Sequence, residues 1–137
     1  MSADGARAHR SFRDAVGWAW PVLVGWAVLA ALWNLGGVWQ LGRGLRPPGP
    51  TASTFAGLVL PVIAGGLVLA VRQWPKVFVL LAAVCGLAAL SAVVGAFVQD
   101  PALWPSEFWR WAGVLLNGLG VMAAATGVVA FVRWRSS

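Results

Sequence analysis

The sequence predicts an all-α integral membrane protein, with four transmembrane helices in an antiparallel bundle and both termini in the cytoplasm. Two observations carry that prediction. The ten basic and four acidic side chains all lie in the ends and connections of the chain. None lies inside its four apolar runs, Ala15–Gly42, Pro47–Val71, Val77–Gln99 and Trp111–Val132, each at least 22 residues long. A bilayer core about 30 Å thick needs roughly 20 helical residues at 1.5 Å rise each, so every run is long enough to span.

The 137 residues, 60% of them apolar, have a mean hydropathy of +0.79 and predict one membrane domain. Its spans cover about 16–41, 51–71, 77–98 and 109–132, and a basic cytoplasmic tail covers 1–14. The net charge of +6 points to anionic lipid headgroups and topology rather than nucleic acid, because the basic residues border the spans. Arg outnumbers Lys nine to one in an Ala-, Gly-, Val- and Leu-rich chain, a bias of GC-rich bacterial genomes.

The first span follows Arg7, Arg10 and Arg13, but its apolar stretch exceeds the 7–15 residues of a signal-peptide core, so it reads as an uncleaved anchor. Trp26 and Trp33, seven apart, share one face of it. That face is expected to enter a groove on a partner or to meet lipid. The connection after it, Gly42 to Thr51, is too rich in Pro and Gly to be helical, and Thr51 or Ser53 is a candidate N-cap for the second span.

The second span carries Pro61 in its middle, with Gly65 and Gly66 one turn later. A proline there removes a backbone hydrogen bond and crowds the preceding turn, so a kink at Pro61 and a hinge at Pro61, Gly65 and Gly66 are expected. The short link Arg72–Lys76 makes the second and third spans antiparallel neighbours. Between the third and fourth, Gln99–Arg110 carries two prolines and three aromatics, and a short interfacial turn or helix is expected.

Trp-Pro occurs at 20–21, 74–75 and 104–105, near helix starts, where proline fits the first turn. Small residues recur every fourth position as Ala88, Ala92 and Ala96, as Ser91 and Gly95, as Gly120 and Ala124, and as Ala123 and Gly127. Such stripes allow close helix packing.

Orientation follows from the flanks. Seven basic residues (Arg7, Arg10, Arg13, Arg72, Lys76, Arg133 and Arg135) fall on one side and three (Arg43, Arg46 and Arg110) on the other, which places both termini inside. Eight of the ten tryptophans then lie at headgroup level: Trp18, Trp20, Trp74 and Trp134 inside, and Trp39, Trp104, Trp109 and Trp111 outside.

Chemistry is sparse. The only histidine, His9, is in the tail, and Cys85 is a small core residue without a partner for a disulfide. No acid, Lys, Arg or His lies within the four apolar runs, where coupled transporters place one, and the residues for a metal or cofactor site are missing. No cofactor and no enzymatic activity are expected.

Asn34 and Asn117 fall at similar depth, positioned to bond each other or to hold a polar group together. The cluster Phe108-Trp109-Arg110-Trp111 offers a cation between two indoles for a lipid phosphate or a partner's domain. Asp100 and Glu107 read as solvated loop charges.

The leading expectation is a non-catalytic accessory or stabilising subunit of a larger bacterial membrane complex, respiratory, transport or cell-envelope. Its partners would be lipids with anionic headgroups and other membrane subunits or copies of itself. One alternative is a small homo-oligomeric transporter or channel, its path lined by Pro61, Gly65, Asn34 and Asn117. Another is a lipid-binding envelope-assembly factor using Arg110, Trp109 and Trp111.

Overall fold

The computed structural model describes residues 11–137. Among them are α1 (Phe12–Val16), α2 (Ala19–Gly42), α3 (Thr54–Gln73), α4 (Pro75–Val98), a 3₁₀ turn at Pro101–Leu103, and α5 (Glu107–Arg135), with no strand. The helices α2 to α5 are long and apolar enough to cross a membrane. Arg7, His9 and Arg10 lie outside the described residues.

Each helix starts and stops for a local reason. The Ser11 hydroxyl accepts from the Asp14 amide at 3.2 Å and donates to the Asp14 carboxylate at 2.6 Å, which caps α1. Gly17, at φ +56°, ends it and turns the chain into α2. The end of α2 is a Schellman motif: the Leu45 amide donates to the Gln40 carbonyl at 2.9 Å, and the Gly44 amide to the Leu41 carbonyl at 3.0 Å, around Gly44 at φ +71°. Ser53 is the N-cap of α3 and accepts from the Ala56 amide at 3.3 Å. Trp74 alone separates α3 from α4, and Pro75 fills the first position of α4. Asp100 caps the 3₁₀ turn by accepting from the Ala102 amide at 2.9 Å. Glu107 in the first turn of α5, and Arg133 and Arg135 in its last, suit the helix dipole.

The charge pattern assigns residues 11–14 to the tail, yet they open α1, and Phe12 is buried. Its ring meets Phe78 at 5.5 Å, Phe131 at 5.8 Å and Trp134 at 5.3 Å between centroids. One aromatic among Arg10, Arg13 and Asp14 makes no hydrophobic run, so sequence pattern alone leaves it unmarked.

These contacts bring α1, the start of α4 and the end of α5 together at one end of the molecule, here the terminal end. The opposite end, the loop end, carries the connections after α2 and after α4. The most extensive packing is of α4 on α5 and of α2 on α3.

Small residues make the close approaches. A Cβ on Gly86 of α4 would fall 2.8 Å from the Ala124 Cβ of α5, and one on Gly120 of α5 would fall 2.6 Å from the Trp26 Nε1 of α2. Gly120, Ala123, Ala124 and Gly127 are all buried. Of the α4 stripe, Ala96 is buried while Ala88 and Ala92 stay open.

The helix α3 continues through Pro61, which is exposed. A Cβ on Gly65 would meet nothing within 4 Å, whereas one on Gly66 would lie 3.1 Å from Leu81 Cδ1 of α4. The adjacent glycines therefore face different surroundings. Cys85 is buried and free.

Candidate functional site

The two ends are filled differently. At the terminal end Leu23, Leu67, Val71 and Phe78 are among the largest fully buried side chains. Toward the loop end Phe55, Leu58 and Val62 of α3 are exposed instead. There, between α2 with its connection on one side and α4 with α5 on the other, lies a cavity of about 280 Å³.

Its walls come from four segments. Trp33 of α2 and Gly49, Pro50 and Thr51 of the first connection form one side. The small residues Ala88, Ala92, Gly95 and Ala96 of α4, with Ser91 and Gln99, form another. Trp104 enters from the second connection, and Arg110, Gly113 and Asn117 come from the first turns of α5. The α4 stripe thus serves as a cavity wall for much of its length, because small side chains leave volume where larger ones would fill it.

One wall residue, Asn117, also makes a polar contact between helices. Trp26, only 4% exposed, donates from Nε1 to the Asn117 Oδ1 at 3.3 Å. Its indole is admitted by Gly120, one turn along α5. Trp26 accordingly packs within its own chain and meets neither a partner's groove nor lipid. A buried indole N–H needs an acceptor, and Asn117 supplies it.

The structure does not bring Asn34 and Asn117 to each other, which corrects the expected pair. Each donates its amide to the carbonyl four residues earlier on its own helix, Asn34 to Ala30 at 2.8 Å and Asn117 to Gly113 at 2.8 Å. Each then offers its oxygen across to another element. Asn34 Oδ1 receives the Ser53 amide at 3.0 Å, tying the start of α3 to α2, while Asn117 Oδ1 receives Trp26.

Arg110 lies in the cavity wall with its side chain 19% exposed, and pairs with the more exposed Glu107 at 2.6 Å. Its guanidinium also stands 6.0 Å from the Trp111 ring centroid. Trp109 does not line the cavity but stacks edge-on against Trp33 at 5.7 Å, and Trp111 meets Phe97 at 5.8 Å. Both are partly exposed. Of the flagged cluster, only Arg110 faces the cavity.

Trp104 was missed as a site residue. It reads as a headgroup-level anchor, yet it is 7% exposed and closes over the first connection near Gly49. Trp-Pro spacing marks an interfacial tryptophan and cannot tell one that turns inward. Among the described residues no three His, Cys, Asp or Glu side chains gather where they would hold a metal. No known protein family, curated protein or solved structure matches the chain.

Proposed function

We propose that this is a non-catalytic accessory protein of the bacterial inner membrane that holds a membrane amphiphile by its polar end in the loop-end cavity. In this reading the four long helices form an antiparallel bundle, α3 bends at Pro61, and both termini are cytoplasmic. The cavity then opens at the level of the outer leaflet.

The cavity carries the reading. Its volume lies just under the roughly 300–1,000 Å³ of pockets that enclose a drug-sized ligand, so it suits a headgroup rather than a whole lipid. Indole and guanidinium groups line one part of it and small apolar residues another, as an amphiphile's two halves require. The exposed Leu, Val and Phe side chains elsewhere would suit a protein partner, but lipid chains cover them equally well, so they do not decide.

A solute path through one chain is disfavoured. Trp26, the partner of the wall residue Asn117, belongs to one buried cluster with Leu23, Leu67 and Phe78, and Pro61, Gly65 and Gly66 are not among the residues lining the cavity.

Native mass spectrometry of the full chain purified in mild detergent tests the proposal. An amphiphile-sized adduct should be retained, and Ala92→Phe, which fills the cavity, should remove it. A chain without adduct, or one whose adduct survives Ala92→Phe, would count the proposal out.

A further inference from the structure

We infer that the polar end held in the cavity is an anionic phosphate ester, the headgroup of a lipid such as phosphatidylglycerol, bound by Arg110 and the indole N–H groups of Trp33 and Trp104. The inference rests on the amphiphile reading and adds the ligand's chemical class.

The cavity is rich in donors and poor in negative charge. Among the described residues, Arg110 is the only charged one in its wall. One of its terminal nitrogens is engaged by a single Glu107 oxygen, and a guanidinium carries five N–H donors in a planar fork, so most of the fork stays open to a second anion. Phosphate oxygens match that fork better than a carbonyl does, because bonds between ionised partners are roughly twice as strong as neutral ones.

The indoles supply the next donors. Trp26 spends its Nε1 on Asn117, but those of Trp33 and Trp104 donate to no described residue. Both approach the same backbone point: a Cβ on Gly49 would lie 3.2 Å from Trp33 Nε1 and 3.9 Å from Trp104 Nε1. With glycine there, position 49 itself places no side chain over either N–H. An indole N–H is a donor only, so an acceptor-rich group answers both.

Glu107 supplies a counterweight. It neutralises Arg110 from outside the cavity wall, and an arriving phosphate must compete with it. Acyl chains would leave past the open α4 face at Ala88, Ser91 and Ala92.

The experiment is a titration of the delipidated full chain, followed by native mass spectrometry, with phosphatidylglycerol, diacylglycerol and inorganic phosphate as separate probes. Phosphatidylglycerol should bind at least about tenfold tighter than diacylglycerol, the scale of one charge-assisted hydrogen bond. Arg110→Gln should weaken phosphatidylglycerol about ten- to hundredfold and leave diacylglycerol unchanged. Trp104→Phe, which keeps a ring and loses the N–H, should cost about two- to tenfold. Glu107→Gln should strengthen binding by about two- to fivefold, near the value of an exposed ion pair, and no folding defect would produce that gain.

Equal binding of the two lipids with no effect of Arg110→Gln would overturn the anion inference while leaving the amphiphile reading intact. Binding of neither lipid would bring down both. Inorganic phosphate binding as tightly as phosphatidylglycerol would overturn the lipid as its source.

Discussion

The terminal end and the loop end use the same residue types for opposite purposes. At the terminal end Phe12, Phe78, Phe131 and Trp134 interlock at centroid distances of 5.3 to 5.8 Å around Phe12 and fill the space. At the loop end Trp33 and Trp104 stand around a cavity of about 280 Å³ and leave it open. Lipid tails are as apolar as the side chains they replace, so burial alone does little to hold membrane helices together, and dense packing must. The filled end therefore holds the helices, and the open end gives up contacts to make room.

The largest expected effect lies at the filled end. Phe78→Ala removes a ring that touches Phe12 and lies against Gly127, where a Cβ would come within 3.1 Å of it. In lipid the transfer part of the usual cost is absent. The cavity part remains: a phenyl ring of roughly 100 Å³ at about 24 cal/mol per Å³ gives about 2–3 kcal/mol. Thermal unfolding in detergent should show that loss, while lipid retention at the loop end stays intact in molecules that remain folded. Equal damage to retention would mean that the two ends are not separate in function.

The positions of the spans were legible because charge is excluded from them, and Ser53 and Pro75 act as their residue types imply. What stayed hidden was long-range pairing. Nothing near Trp26 says that Gly120 will open a slot for it, since those residues are 94 positions apart. Asn34 and Asn117 were legible as interhelical glue. Their separate partners were not, because each amide oxygen is satisfied by a donor, an indole or a backbone N–H, that carries no polar signature of its own in hydropathy. The cavity itself was invisible in the sequence. A stripe of alanines reads as a packing surface, and only the three-dimensional arrangement makes Ala88 and Ala92 a cavity wall.

An intermediate effect separates the two asparagines. Asn117→Leu removes a residue of the cavity wall and leaves the Trp26 N–H without its acceptor, at a cost of about 0.5–2 kcal/mol, the range for an interhelical bond in a membrane. The indole is also freed to tilt toward the cavity, so lipid retention should fall along with thermal stability. Asn34→Leu loses the tie to Ser53 at 3.0 Å for a similar loss of stability. It is not part of the cavity wall, and retention should persist. If both variants lose lipid alike, the Trp26–Asn117 contact has no special place in the site.

The smallest effect on stability belongs to Glu107→Gln. Its ion pair with Arg110 is short, at 2.6 Å, but the Glu107 side chain is 61% exposed, and solvent-exposed pairs of this kind are worth about 0–1 kcal/mol. The unfolding temperature should barely move. Removing Glu107's charge nevertheless leaves Arg110 as an uncompensated cation beside the cavity, which is why lipid affinity is expected to rise while stability stands still. Phe78→Ala should do the reverse, lowering stability and sparing affinity. A double variant would then show the two changes side by side with no coupling, since distant sites without shared partners add within about 0.3–0.5 kcal/mol. Coupling well above that would mean that the filled end and the open end respond as one unit, and that the cavity's shape depends on the aromatic cluster at the other end of the helices.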